Sequence, residues 1–371
     1  MVVRHAPLVL VALSVLLSGC QVLSRGPSPD TLQGRITWPK DGDLWVYDLS
    51  AKQDKKITNL PRGAAVTGAS WSPDGQRVVF SQFGRRPNER ASGADLYVAN
   101  ADGSDAHLFA ERDAANTVLD TPYWAPSGRV YYTLRRVQNG RESQTIVRQT
   151  EGGEPETLVE NAYSPTVTPD ESTLVYLRTT RAGQSLMKKA IGQSDDGCEL
   201  LSDQVFQYLS QPRISPDGKK VALGGSGDAN PGPSSCGANN GDKPSAASPR
   251  LAKLSAEDSS PGPQPGPHAA DASEVVATLA PLLDLAEWLN VLPTTAEAHG
   301  LPADVYTLGL DGGGLQRIAD IKDDDPTVAW SPDGSRLAIF GVAALYIVDS
   351  KGGPTQKLVE QGGYGGLDWT R

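Results

Sequence analysis

Short stretches of alternating apolar and polar residues, separated by turns that contain Gly and Pro, recur along most of this chain. The clearest stretch is ASWSPDGQRVVFSQ at 69–82, which returns as VAWSPDGSRLAIFG at 328–341. Weaker copies begin at residues 122, 165 and 212. Because a period of two is that of a strand with distinct faces, each copy predicts two short strands. The Ser-Pro-Asp-Gly phrase between them favours a tight turn, since Pro presets φ and Gly accepts positive φ.

A third and a fourth strand follow each copy, as in DLYV at 95–98 and HLF at 107–109. The prolines of the five copies are separated by 53, 43, 47 and 116 residues. Four short antiparallel strands repeated at such intervals are typical of a β-propeller. The long last interval predicts an insertion in the fifth blade.

Two partial units remain at the ends of the repeats. Residues 34–61 hold a second, third and fourth strand, and residues 366–371 hold a first strand only. Together they complete one blade, so the ring closes by pairing the N- and C-terminal strands, which removes an open sheet edge. We therefore predict an all-β fold, a six-bladed β-propeller of four-stranded antiparallel blades over residues 34–371.

The repeat resembles the six-bladed propeller repeat of the TolB-like family, a WD-like repeat of bacterial envelope proteins. The resemblance rests on Trp71-Ser72-Pro73-Asp74-Gly75, on its copy at 330–334 and on the following DLYV or LYIV strand, and it covers about residues 34–225 and 303–371. It implies the propeller fold but only weakly a function, because propellers support many activities. A role in the Tol complex does not follow, since the Tol translocation protein has a separate N-terminal α/β domain that we do not find here.

The first 19 residues, with Arg4 followed by an apolar run, are typical of a secretory signal peptide. They end in Leu17-Ser18-Gly19 before Cys20, which resembles the bacterial lipobox and implies cleavage before Cys20 and its lipidation. The alternative is an ordinary signal peptide followed by a chance cysteine. Residues 20–33 are then the lipidated cysteine and a flexible polar tether.

The predicted insertion spans residues 226–302 and changes character halfway. Residues 226–271 are rich in Pro, Gly, Ser and Ala without a period, a composition typical of disorder. A helical spacing of apolar residues follows, which predicts a helix at about 272–292. This helix either packs on the propeller or docks on a partner, and a mostly unfolded segment is the third alternative.

The charge of the chain limits its partners. The formal net charge is −10, which argues against nucleic acid because phosphate binding needs clustered Lys and Arg. Loops between second and third strands are nevertheless rich in arginine, and with residues 226–300 they lie on one predicted face. We expect this face to recruit an anionic partner or to be covered by the acidic insertion, the alternative being ordinary solvated charge. The candidate arginines are Arg85, Arg86, Arg90, Arg135, Arg136, Arg141, Arg178 and Arg181.

Three adjacent carboxylates, Asp323, Asp324 and Asp325, fall on the same predicted face, in the link before the sixth blade. They are binding candidates and could contribute to a Ca²⁺ site, but they lack the spacing of a dedicated calcium loop, so a solvated link is the simpler interpretation. We predict no other cofactor and no dedicated metal site. Cys198 and Cys236 either form a disulfide in an oxidising compartment or remain free.

Together these patterns predict a non-catalytic lipoprotein, anchored to the membrane only through its lipid, outside the cytoplasm on the periplasmic side of the outer membrane or at the cell surface. We expect a monomer that serves as a binding scaffold for an envelope protein or an anionic ligand. One alternative is a metal-dependent propeller enzyme, such as a lactonase or lyase, with its site in the central channel. A glycan or small-molecule sensor is another.

Overall fold

Twenty-five β-strands form the regular structure of the described residues. The structure is a computed structural model that describes residues 32–138, 140–227, 234–236 and 301–371. The chain divides into Met1–Leu32 and Gln33–Arg371, and the strands belong to the second unit. The predicted signal peptide, most of the tether and the predicted helix at about 272–292 lie outside the described residues.

The strands occupy the following ranges. In the first part of the chain they are β1 (Arg35–Lys40), β2 (Asp43–Asp48), β3 (Gln53–Lys56), β4 (Ala65–Trp71), β5 (Arg77–Gly84), β6 (Gly93–Asn100), β7 (His107–Ala110), β8 (Thr117–Trp124), β9 (Val130–Gln138), β10 (Arg141–Gln149) and β11 (Glu156–Glu160). In the remainder they are β12 (Tyr163–Val167), β13 (Thr173–Thr179), β14 (Gln184–Ala190), β15 (Cys198–Leu201), β16 (Tyr208–Leu209), β17 (Arg213–Ile214), β18 (Lys220–Ser226), β19 (Pro302–Gly309), β20 (Gln316–Asp324), β21 (Thr327–Trp330), β22 (Arg336–Phe340), β23 (Leu345–Asp349), β24 (Gln356–Val359) and β25 (Asp368–Thr370).

Neighbouring strands within each unit pair antiparallel, as the repeats predict. Strands β12–β15 and β21–β24 each form a four-stranded sheet, and β16 and β17 both pair with β18 in a third sheet that continues through β19 and β20. Strands β4–β7 and β8–β11 are two antiparallel groups that share one eight-stranded sheet, because Ala94 of β6 forms a single parallel bridge to Val118 of β8. All-β architecture from four-stranded antiparallel units is therefore confirmed.

The first sheet contains both ends of the propeller sequence. Its strand order is β25-β1-β2-β3. The last strand pairs antiparallel with the first, with Trp369 opposite Ile36 and Thr370 opposite Arg35. The Trp369 Nε1 atom also donates a hydrogen bond to the carbonyl oxygen of Gln33 at 3.2 Å.

The Ser-Pro-Asp-Gly phrases form the predicted turns, and their aspartates are structural. In the turn between β4 and β5, Ser72 Oγ donates to Asp74 Oδ1 at 2.6 Å, and the Asp74 carboxylate also accepts from the amide of Gln76. Gly75 follows at a φ of 67°, which an L-residue rarely adopts. The hydrogen bond from Ser72 lowers the pKa of Asp74. The same pattern recurs at 215–220 and 331–336.

The second strand of each unit is buried on both faces because the sheets stack face to face. In β5, Val78 and Phe80 pack in a cluster with Leu44 of the preceding sheet, whereas Val79 packs with Leu119 of the following group. Each fully buried apolar side chain of this kind contributes about 1.5–3 kcal/mol. Because stacking buries both faces, the sequences of these strands are continuous apolar runs and do not strictly alternate apolar with polar residues.

Candidate functional site

Several polar residues gather at one end of the predicted propeller channel. The innermost strands run side by side around the axis, so their first residues meet at one mouth. Tyr163 begins β12 and Tyr208 begins β16, while Asp325 and Tyr364 lie shortly before β21 and β25. The Asp325 carboxyl acts electrostatically on all three tyrosines. We call Tyr163, Tyr208, Asp324, Asp325 and Tyr364 the mouth cluster.

Asp325 holds its carboxyl group in an unusual environment. Burial raises the pKa of Asp325 to about 7; a hydrogen bond with Tyr208 opposes this rise and the neighbouring Asp324 adds to it. The φ of Asp325 is 46°, and the next residue is Pro326. Left-handed conformations are uncommon outside glycine and occur at functional sites. A carboxyl group with so strongly raised a pKa is a candidate functional group.

Two tyrosines of the mouth cluster differ in their surroundings. The hydroxyl of Tyr364 donates a hydrogen bond to Asp324 Oδ2 at 2.6 Å, and 45% of Tyr364 is exposed. The hydroxyl oxygen of Tyr163 is buried, and the side chains of Thr179 and Gln184 oppose the rise in its pKa. Burial raises the pKa of Tyr163, and the Asp325 carboxyl adds to that rise.

Acidic groups act on the tyrosines of the mouth cluster. Glu142 raises the pKa of Tyr163, and Asp323 contributes to the raised pKa of Tyr364.

The arginines predicted from the sequence are only partly available at the surface. Arg86 donates from Nη2 to Asp95 Oδ1 at 2.5 Å. Arg112, which the sequence did not single out, contacts the same carboxylate at 3.1 Å and also pairs with Glu89. The side chain of Arg112 is only 1% exposed. This network ties the loop between β5 and β6 to the segment between β7 and β8.

Other candidate arginines also have local partners. Arg135 is buried, Arg136 pairs with Asp113 at 2.7 Å, and Arg178 pairs with Asp196 at 3.4 Å. The exposed candidates are Arg85, Arg90, Arg141 and Arg181. Acids on neighbouring loops therefore neutralise part of the charge of the predicted arginine face.

The three adjacent aspartates are not a solvated link, which corrects the simpler interpretation of the sequence. Asp323 lies in β20 and is buried, and its carboxylate accepts hydrogen bonds from the amides of Val342 and Ala343 at 3.2 and 3.1 Å. Asp324 and Asp325 belong to the mouth cluster. Over the described ranges, no group of three or more His, Cys, Asp or Glu residues is placed to hold a metal ion.

Cys198 and Cys236 form a disulfide in the structure. Cys198 begins β15, and the bond attaches the described residues 234–236 to this strand. The attachment also has hydrogen bonds, from the amide of Ser235 to the carbonyl oxygen of Glu199 at 3.0 Å and from the amide of Glu199 to Ser235 Oγ at 2.7 Å. Part of the Pro- and Gly-rich segment is therefore anchored, although its composition predicts disorder.

A second polar group surrounds the axis nearer the Ser-Pro-Asp-Gly turns. We call it the axial ring, and each member directly precedes the motif tryptophan of its unit or the counterpart of that tryptophan. Its members are Ser70, Tyr123, Thr166, Arg213 and Asp368. The sequence analysis did not identify these residues, although their shared position in the repeat could have revealed them.

The axial ring holds two buried charges of opposite sign. Burial raises the pKa of Asp368 while Arg213 opposes that rise, and burial likewise lowers the pKa of Arg213. Asp368 Oδ2 accepts hydrogen bonds from Ser70 Oγ and from the amide of Trp71, both at 2.8 Å. Arg213 also lies over the ring of Tyr123 at 5.8 Å. These contacts engage Asp368 fully and join β25 to the neighbouring sheet.

Comparisons with known proteins agree on the fold. No family model and no curated protein matches this chain. Among solved structures, TolB from Acinetobacter baumannii aligns with a TM-score of 0.55 and 14% identity over 91% of this chain and 66% of that chain. A putative TolB from Agrobacterium tumefaciens aligns with a TM-score of 0.54 and 12% identity over 92% of this chain and 100% of that chain. A chain of a nidogen/laminin complex aligns with a TM-score of 0.55 and 8% identity over 91% of this chain and 98% of that chain.

No helix in the described ranges has the length and apolar character needed to cross a membrane. Sheet pairing, the Ser-Pro-Asp-Gly turns and the structural neighbours all agree with the resemblance drawn from the repeats. This chain has the TolB-like β-propeller fold.

Proposed function

We propose that this protein is a lipid-anchored lipoprotein of the cell envelope whose propeller binds a partner, without catalysis, at the face that carries the channel mouth. The observation that carries the binding role is the mouth cluster, which places aromatic rings and carboxyl groups at the axis of a rigid fold. Loops on a rigid scaffold are where binding residues concentrate. The Leu-Ser-Gly-Cys sequence at 17–20 supports the lipid anchor.

We further propose six blades closed by a shared blade. The strand pairs support this count, because β4–β7, β8–β11, β12–β15, β16–β20 and β21–β24 supply five units and β25 with β1–β3 supplies the sixth. The partial units at the two ends therefore complete each other.

A non-catalytic role has support from the axial ring. The Asp368 carboxylate already accepts hydrogen bonds from Ser70 Oγ and from the amides of Trp71 and Trp369. A carboxylate held in this way is a structural group rather than a poised nucleophile or base. The fold itself does not distinguish binding from catalysis.

Site-specific photocrosslinking in the native envelope tests the binding face. Val342, 41% exposed between β22 and β23, lies on the mouth face, and Lys219, in the turn between β17 and β18, lies on the opposite face. We expect a photoreactive residue at Val342 to capture one discrete partner and the same residue at Lys219 to capture none. Equal capture from both faces, or from neither, would contradict the proposal.

The anchor is tested separately by fractionation. We expect the wild-type protein in the membrane fraction and the Cys20→Ser variant in the soluble fraction, because removing the acylated residue removes the anchor. A Cys20→Ser variant that remains with membranes would refute lipid anchoring at this residue.

A further inference from the structure

Residues 234–236, which we call the clasp, lie on the outer edge of β15. The amide of Ser235 donates to the carbonyl oxygen of Glu199 at 3.0 Å, and the amide of Glu199 donates to Ser235 Oγ at 2.7 Å. Ser234 Oγ donates to the same carbonyl oxygen at 2.9 Å. Because β15 is the last strand of its sheet, the clasp covers a strand edge that would otherwise be open at Glu199.

The clasp also contacts the neighbouring unit. A Cβ atom at Gly312, in the turn between β19 and β20, would overlap Ser234. Cys236 packs against a buried apolar cluster that includes Leu200 of β15 and Leu308 of β19. The clasp therefore lies between two units and has contacts with both.

A disulfide between Cys198 and Cys236 joins the clasp covalently to β15. Both cysteines are partly exposed, so a reductant can reach the bond in the folded protein. Exposed disulfides are more easily reduced than buried ones and include the labile and regulatory bonds.

The noncovalent contacts of the clasp are weak compared with the entropy that the clasp loses. Its hydrogen bonds to Glu199 lie at the surface, where water replaces them at little cost. Each ordered residue gives up backbone freedom, and the composition of residues 226–271 predicts disorder. The covalent bond therefore decides whether the clasp stays on β15.

We propose that the Cys198–Cys236 bond is a redox-sensitive switch: the clasp stays on β15 while the bond is oxidised and leaves β15 when a dithiol reduces it. One thiolate of the dithiol attacks a sulfur of the bond and forms a mixed disulfide, and the second thiol of the dithiol then displaces the protein sulfur. The products are two protein thiols, which keep the two protons of the dithiol, and the oxidised reagent. Release leaves the backbone amide and carbonyl of Glu199 open to a strand of another chain.

Amide hydrogen exchange on the full-length protein, oxidised and then reduced with dithiothreitol, tests the switch. We expect the amides of Glu199 and Ser235 to lose protection by at least about tenfold on reduction. The amide of Ser72, which donates to the carbonyl oxygen of Arg77 at 2.8 Å in another unit, is the internal control and should keep its protection. Unchanged protection at Glu199, or an equal loss at Ser72 through general unfolding, would overturn the inference.

Alkylation of thiols measures the state of the bond itself. Mass spectrometry of the labelled peptides assigns each modified sulfur, so a label on Cys20 is not confused with one on Cys198 or Cys236. We expect Cys198 and Cys236 to be labelled after treatment of the folded protein with dithiothreitol, with an unchanged circular dichroism spectrum. Labelling that requires a denaturant would refute a switch that operates in the folded protein.

Two variants separate the disulfide from the hydrogen bonds. Cys198→Ser combined with Cys236→Ser should exchange at Glu199 as fast as the reduced wild type and should not respond to dithiothreitol. Ser235→Ala is the matched control, because it removes a hydrogen bond of the clasp and keeps the disulfide. Its amide at position 235 should stay protected until the bond is reduced.

Loss of that protection in oxidised Ser235→Ala would show that hydrogen bonds hold the clasp and would overturn the inference. If the double variant fails to fold, the reduced wild type supplies the same comparison.

Discussion

Asp368 offers the most direct test of how the last strand is held in the fold. Its carboxylate accepts hydrogen bonds at 2.8 Å from Ser70 Oγ, from the amide of Trp71 and from the amide of Trp369. It also interacts electrostatically with Arg213, which is buried. Asp368→Ala removes every one of these interactions.

The size of the effect follows from the burial of the donors. A buried donor left without its acceptor costs about 1–3 kcal/mol. Asp368→Ala leaves Ser70 Oγ and the Trp71 amide of the neighbouring sheet without theirs, about 2–6 kcal/mol in all. For a protein of this size, 1 kcal/mol corresponds to about 2–4 °C in melting temperature. We therefore expect a fall of about 4–24 °C.

Thermal unfolding followed by circular dichroism measures this change, and Glu154→Ala, at an exposed carboxylate between β10 and β11, is the matched control. Arg213→Met and the double variant complete a cycle that isolates the coupling between the two charges. We expect the double variant to be less destabilised than the sum of the single variants, because the two buried charges attract each other and each single variant removes that attraction. A loss below about 0.5 kcal/mol for Asp368→Ala, or strict additivity, would refute a role for the pair in holding β25.

Three further changes test other parts of the structure. The pKa of Asp325 is about 7 in the folded protein against an ordinary 3.8. Because the unfolded chain loses this proton at lower pH than the folded protein does, folding stability decreases as pH rises from about 4 to 7. Asp325→Asn should remove this decrease and raise the melting temperature above that of wild type at pH 8. Replacing Cys198 and Cys236 by Ser should lower the unfolding free energy by about 2–4 kcal/mol, measured in guanidinium, and no change would show that the bond adds nothing. Arg112→Met should lower the free energy of unfolding by about 3–5 kcal/mol, because it leaves buried carboxylates without their partner. Arg181→Met, at an exposed site, should change it by less than about 0.5 kcal/mol. Equal losses in the two variants would contradict the buried network.

The local repeats carried most of the information about the fold. Ser72-Pro73-Asp74-Gly75 and its copies predict tight turns from the φ preferences of Pro and Gly, and the strands on either side follow from short apolar runs. The partial unit at 366–371 likewise predicts a strand that must pair elsewhere. These inferences succeed because turn chemistry and strand period depend on residues close in the sequence.

The candidate site shows where such reasoning ends. The sequence alone determined a repeated four-strand unit, the turns that join its strands and the acidic balance of the chain. Only the tertiary structure decided that Asp95 engages both Arg86 and Arg112, and that Asp325 lies beside Tyr208 of β16. Burial, and with it the raised pKa of Asp325, depends on residues more than a hundred positions apart, such as Tyr208. No local pattern encodes that proximity, because it arises when the sheets assemble around a common axis.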